Sequence, residues 1–241
     1  MTYCTGSISA VPTLNKQKFI EHAAAAWPLF QSMGATRMVD TWGVDVPKGE
    51  VTDFHRAVDA RDDETVVFSW VDWPDKATAH AAWQAIESDP AMQAMPQMPF
   101  DGKRMILGGF MPVFEQGSAD GANYYQGFTL AVPEHNKAAY VAMAEKGWQL
   151  IHRHGALGMV ENWGEDVSRG KVTDFYRATH CEDNEVPVFS WSTWPNRATC
   201  DAASKAMQGG DTGDMDMANM PFDGMRMMWA GFEPIFDSSA K

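Results

Sequence analysis

The chain is written twice. Trp42-Gly43 recurs as Trp163-Gly164, a shift of 121 residues (163 − 42), and the same shift lays Val51-Thr-Asp-Phe54 on Val172-Thr-Asp-Phe175. Phe68-Ser-Trp70 then falls on Phe189-Ser-Trp191, and Trp73-Pro74 on Trp194-Pro195. Met98-Pro-Phe-Asp-Gly102 meets Met220-Pro-Phe-Asp-Gly224 one residue further on, which places an insertion in the Gly-rich stretch 209–213 of the second copy. Such a duplication constrains the fold more than composition does, because both copies must form the same unit and can bury each other's open faces. The boundaries read as a first repeat over 1–116, a short Gly/Ser linker over 117–122 and a second repeat over 123–241.

Periodicity gives each copy the same elements. Residues 3–11 and 124–132 read as strands, the second alternating through Phe128, Leu130 and Val132. Asn15 and Asn136 read as N-caps of the helices that follow, whose faces carry Phe19, Ala23, Trp27, Phe30 and Tyr140, Ala144, Trp148, Ile151. Gly34 and Gly155 stand where helix-ending glycines belong. Strands are expected at 36–42 and 157–163, extended segments at 52–60 and 173–181, and apolar strands at 65–73 and 187–194. Asp75 and Asn196 can cap second helices running to about Ser88 and Gln208, before final strands at 104–114 and 226–236. This is an α+β order of ferredoxin-like type, βαββαβ, with helices on one sheet face only. The expected architecture is two ferredoxin-like repeats packed sheet-to-sheet as an intramolecular pseudo-dimeric α/β barrel, a monomer or weak dimer.

Charge narrows the partners. With a formal net charge of −13 over 241 residues and no basic run, the chain is expected to avoid nucleic acid and anionic membranes. No apolar stretch reaches the roughly 18–20 residues that span a bilayer, and the first residues lack the pattern of a signal peptide. Cys4, Cys181 and Cys200 form no CxxC pair, and none recurs at the matching position of the other copy. Free thiols in a reducing cytoplasm are the expected reading, with no metal and no cofactor.

The words Trp-Gly-x-Asp, Val-Thr-Asp-Phe, Phe-Ser-Trp-x-x-Trp-Pro and Met-Pro-Phe-Asp-Gly-x-Arg-Met carry a resemblance. Over nearly its full length, each half resembles the YbaA-like family of bacterial domains of unknown function, placed in the dimeric α/β-barrel superfamily. The resemblance implies a dimer fused into one chain. It implies no particular reaction, since the wider superfamily includes cofactor-free monooxygenases, haem-degrading enzymes, muconolactone-type isomerases and plain ligand binders.

Polar residues present in both copies are the candidate substrate contacts: Asp53/Asp174, Arg56/Arg177, Asp101/Asp223 and Arg104/Arg226, with Asp45/Asp166 beside them. An Arg could hold a substrate carboxylate or enolate, with an Asp as general base; the competing reading is ion pairs that pin loops to the sheet. In a strand Asp53 and Arg56 would face opposite sides, leaving Arg56 a cross-strand partner such as Asp101. Trp42 and Trp163 either contact a flat substrate in the barrel cavity or belong to the core. His152 and His154, two apart on a helix, cannot chelate one ion together, and no second element supports haem. The runs Met92, Met95, Met98 and Met215, Met217, Met220 could offer thioethers to Cu(I) but lack accompanying Cys or His, so gap-filling is the expected role. Asp211, Asp214 and Asp216 lack the spacing of a calcium loop.

One asymmetry bears on function. Ser7 and Ser9 stand where the second copy has Phe128 and Leu130. If that face lines the barrel, the first copy holds the roomier pocket, with ligand near Trp42 and Arg56. The expected function is small-molecule binding in an apolar, Trp- and Met-lined barrel cavity, as a cofactor-independent oxygenase or isomerase. The alternative is a non-catalytic ligand-binding or stress-associated module.

Overall fold

The computed structural model describes residues 2–86, 90 and 97–239. In the first copy the elements are β1 (Tyr3–Pro12), α1 (Lys16–Ser32), β2 (Arg37–Asp45), α2 (Phe54–Ala57), β3 (Glu64–Trp73), α3 (Lys76–Ile86) and β4 (Ile106–Gly117). The second copy repeats them as β5 (Tyr124–Pro133), α4 (Lys137–Arg153), β6 (Gly158–Val167), α5 (Phe175–Ala178), β7 (Glu185–Trp194), α6 (Arg197–Gln208) and β8 (Met228–Asp237). The strands form one closed antiparallel barrel in the order β1-β3-β2-β8-β5-β7-β6-β4. Within each copy the ring reads fourth, first, third, second strand, and the copies join edge to edge through β2·β8 and β4·β6. No strand edge is left free in this ring.

The alternation of each strand sorts its side chains between two layers. On β1, Cys4, Ile8 and Ala10 point inward, whereas Tyr3, Thr5, Ser7 and Ser9 face the helices. The interior is solid. Phe68 stacks on its own counterpart Phe189 at 4.1 Å between ring centres, and Trp70 on its counterpart Trp191 at 4.2 Å. Residues that meet their own equivalents lie on a pseudo-twofold axis, so β3 and β7 face each other across the barrel along that axis. Phe110, Tyr125, Phe175 and Phe232 complete the filling. The sequence leads one to expect an apolar cavity in the middle of the barrel; this aromatic core occupies that volume and, among the described residues, leaves space only at the open end.

The segments read as extended, 52–60 and 173–181, instead contain the single-turn helices α2 and α5. Asp53 and Asp174 cap them, accepting from the backbone N–H of Arg56 and Arg177 at 2.8 Å. The local hydrogen bond of an Asp to the third residue on overrode a strand reading based on aromatic content. These helices close one end of the barrel, where Thr52 donates to the Ala178 carbonyl at 2.7 Å and Thr173 reciprocally to Ala57 at 2.6 Å.

The longer helices follow their signals with one change. Asp75 and Asn196 cap α3 and α6 as expected, accepting from Thr78 and Thr199. Ser88, the expected end of α3, lies outside the described residues. Gly34 and Gly155 end α1 and α4 at φ of +100° and +97°. Asn15 and Asn136 precede α1 and α4 without capping them by side chain; each amide donates to a loop carbonyl instead, Pro99 at 2.8 Å and Pro221 at 2.9 Å. A preceding 3-10 turn in each copy leaves the Asn free to do so.

Polar links across the copies repeat with the symmetry. Lys76 meets Asp166 at 2.8 Å, and Arg197 meets Asp45 at 3.2 Å. Tyr3 donates to Asp166 at 2.6 Å by passing over Gly109, where a Cβ would lie 1.8 Å from the phenol oxygen; Tyr124 passes over Gly231 in the same way. Asp45 and Asp166 therefore join the two copies.

Candidate functional site

In the first copy the helix layer does not close on the sheet. Between α1, α3 and the outer face of β1, β2 and β3 lies a cavity of about 190 Å³. Its walls are apolar but for His22: Phe19, Ala23, Ala26 and Phe30 stand beside it on α1, Trp83 comes from α3, and Met98, Phe100, Met105 and Leu107 come from the chain leading into and through β4. Its floor is polar, with Ser7 and Ser9 from β1, Asp40 from β2 and Ser69 from β3. Register brings the serines together, since Ser7 pairs with Ser69 and Asp40 also pairs with Ser69. Asp40 sits where a β-bulge interrupts the β2·β8 pairing.

Asp40 is the chemically distinctive group. It is 3% exposed, and its Oδ2 has no hydrogen-bond partner. Burial pushes its pKa up to about 6, with the neighbouring Ser69 hydroxyl pulling the other way. A carboxyl poised near neutrality beside an apolar cavity can exchange a proton with a bound molecule.

The second copy shows what happens when the same place is filled. Glu161 occupies the Asp40 position, 121 residues on, and accepts a short hydrogen bond from the Tyr140 phenol. The first copy has Phe19 at the Tyr140 position and so cannot make this bond. Leu130, Tyr140 and Phe222 pack together there with Phe128 and Met143. Burial raises Glu161 to about 7 despite help from Ser190 and Tyr140. Copy two thus satisfies its buried acid internally, whereas copy one leaves its acid facing a space.

These buried acids set the pH dependence of stability. Asp40, Asp72 and Glu161 all have raised folded-state values, Asp72 to about 7 chiefly through burial. The native state holds their protons more tightly, so their contribution is full below the ordinary values of 3.8 to 4.5 and is lost as pH rises through about 6 to 7. Glu64 and Glu185 are lowered by Arg104 and Arg226, and their contribution disappears as pH falls through the acid range. The thermal midpoint is therefore expected to peak near about pH 4.5, to fall as pH rises through about 7 and to level off above it. Asp40→Asn should flatten the alkaline side; a midpoint rising steadily to pH 8 would contradict this reading.

The sequence-derived candidates lie elsewhere. Arg104 is buried and donates to Glu64 through both terminal nitrogens, at 2.7 and 2.6 Å, and through Nε to Asp101 at 3.2 Å. Arg226 repeats this with Glu185 and Asp223. Arg56 and Arg177 are half exposed and pair with Asp53 and Asp174 three residues back, at 3.4 and 3.5 Å. The expectation that Asp53 and Arg56 diverge is corrected by the helix that replaces the strand; Asp101 binds Arg104 rather than Arg56. Trp42 and Trp163 are buried under α1 and α4, beneath the ammonium groups of Lys16 and Lys137 at 5.3 and 4.9 Å. None of these residues lines the helix-layer cavity.

Other groups resolve locally. His154 pairs with Asp211 at 2.8 Å, and His152 stacks on Trp148 at 4.5 Å. Among the described residues no three His, Cys, Asp or Glu side chains converge on a metal position. The three cysteines are free, with Cys4 and Cys200 buried. Met92 and Met95 lie outside the described residues, whereas Met98 lines the cavity and Met220 packs against its filled counterpart. Among the described residues no helix is long and apolar enough to cross a membrane.

Comparison with known proteins agrees with this geometry. Uncharacterized protein YbaA of Escherichia coli K12 is 49% identical over 117 residues, covering 48% of this chain and all of that protein, and the Shigella flexneri protein matches equally. Among solved structures, an anthrone oxidase-like protein superposes with a TM-score of 0.56 at 12% identity, over 98% of this chain and 92% of the other. A candidate monooxygenase from Lactobacillus acidophilus gives 0.53 at 10% identity, over 98% and 95%. At such identities the likeness shows the fold, and the coverage shows that the whole two-copy barrel is shared. The profile of one family, described as a protein of unknown function (DUF1428), matches residues 2–102 and again 123–224, so the chain is a tandem member of that family.

Proposed function

We propose that the protein binds a small, largely apolar molecule in the helix-layer cavity of its first copy, where Asp40 accepts a proton from it without a cofactor. The observation that carries this reading is the buried, unpartnered Asp40 oxygen on the polar floor of a cavity whose walls are mostly apolar. An unsatisfied buried oxygen costs about 1–3 kcal/mol, which a ligand donor would recover. Volume sets the size class. A cavity of about 150 Å³ admits benzene, so about 190 Å³ suits one substituted ring bearing a hydroxyl or an acidic C–H. Proton removal from such a ring is the shared first step of cofactor-free isomerisation and oxygenation, and the oxidase-like and monooxygenase-like folds above accord with that class.

In this reading each repeat is a ferredoxin-like βαββαβ unit, over 1–116 and 123–241 with 117–122 joining them, and the second is the structural half. The unpaired thiols fit a cytoplasmic protein. Phenol is the simplest probe. Wild-type protein should bind about one equivalent by calorimetry. Ser9→Leu, which carries the second copy's residue into the cavity, should weaken binding at least about tenfold, the effect expected of lost volume. Unchanged affinity in Ser9→Leu would remove the cavity from consideration. Catalysis is read separately, as deuterium exchange beside the carbonyl of cyclohexanone: loss of about a hundredfold or more in Asp40→Asn marks a general base, and exchange no faster than buffer marks a binder.

A further inference from the structure

The barrel is closed at one end by α2 and α5 but open at the other, where a cavity of about 270 Å³ reaches down to Trp191. We propose that this mouth is a second ligand site, taking a small organic ammonium ion between Asp72 and the side-chain oxygen of Asn162. It is separate from the helix-layer cavity and does not depend on it.

Asn162 carries the first part of the case. It is fully buried and lines the mouth. Its Nδ2 donates to the Phe189 carbonyl at 3.0 Å, which fixes the amide orientation and turns Oδ1 away with no partner. The first copy has Thr41 here, and its hydroxyl makes the same bond to the Phe68 carbonyl at 2.7 Å without carrying a separate amide oxygen. The sheet therefore does not require an Asn, and the orphan oxygen calls for a donor.

Charge supplies the second part. Arg37 enters the mouth but donates two hydrogen bonds to Asp237, at 3.1 and 2.6 Å, so its charge is already matched. Asp72 and the more exposed Glu115 line the same space and have no ion-pair partner among the described residues. The buried indole of Trp70 lies beside Asp72. Burial pushes Asp72 up to about 7, the neighbouring Arg37 charge pulls it partly back, and Glu115 and Asp237 add to the rise. Two carboxylates against one arginine that is already paired disfavour phosphate and carboxylate ligands. No cluster fit for a hard metal ion is formed among the described residues, and the indole wall favours an organic cation. The second copy places Gly158 and Thr193 where the first has Arg37 and Asp72, which leaves room on that side.

The test is a titration with n-butylammonium chloride, followed by nuclear magnetic resonance of the indole N–H groups and the Asn162 side-chain amide. Saturable shifts of Trp70, Trp191 and Asn162 are expected, with 1-butanol and sodium chloride producing none. Asp72→Thr and Asn162→Thr each install the other copy's residue, and each should weaken binding about tenfold. If Asp72→Thr does not fold, Asn162→Thr and the butanol control still decide the matter. No saturable shift, shifts centred on Trp83 in the helix-layer cavity, equal response to butanol, or unchanged affinity in the folded variants would overturn the proposal.

Discussion

Arg104→Ala is expected to destabilise the protein by about 3–5 kcal/mol, the usual result of stranding one member of a buried ion pair. The side chains of Arg104 and Glu64 are 6% and 3% exposed, so little water can replace the lost guanidinium. The substitution also removes a 2.7 Å hydrogen bond to the Asp59 carbonyl, which holds a residue with φ of +47° at the end of α2. Urea unfolding at neutral pH should show the loss. Arg226→Ala should cost less, because Arg226 is 15% exposed and water can enter the space it leaves. Replacing both Arg104 and Glu64 with apolar residues of similar size should recover most of the stability, since the penalty arises from the unpaired charge. Equal losses in the two copies would show that burial does not set the cost.

Phe189→Ala should cost a comparable amount, about 3–5 kcal/mol, through cavity formation. Its ring stacks on Phe68 and meets Phe110, Phe175 and Trp191, so its removal opens the core that both copies share. For a chain of this size that loss corresponds to a fall of roughly 10 °C in thermal midpoint. The transition should remain single, because neither copy retains a covered inner sheet face once the other unfolds. Two separate calorimetric transitions would mean that the halves are independent domains.

The duplication was legible because 121-residue periodicity survives in the aromatic words, and the helix-ending glycines were legible because a positive φ demands them. The short helices α2 and α5 were not, since four residues give no periodicity and Asp53 resembles any other loop acid until its cap is seen. The helix-layer cavity was half visible. Ser7 and Ser9 marked the missing volume, but strand alternation alone does not say which of two faces points at helices. Asp40 is less legible for a more specific reason: it does not recur as an identity, since Asp40 and Glu161 differ by one methylene at matching positions. An acid recurring in otherwise apolar strands, whatever its length, was the available signal. Glu64 and Glu185, identical and equally placed, are the partners that make Arg104 and Arg226 structural.

Whether Asp40 receives a ligand donor can be read from one comparison, the affinity of phenol against that of toluene at pH 7.5, where a carboxyl with a pKa of about 6 is ionised. A hydrogen bond to a charged group contributes about 1.5–3 kcal/mol, so wild-type protein should prefer phenol by at least about tenfold. In Asp40→Leu, which keeps the floor buried but removes the acceptor, the preference should vanish or reverse. The same preference for phenol in both proteins would contradict a ligand seated on Asp40.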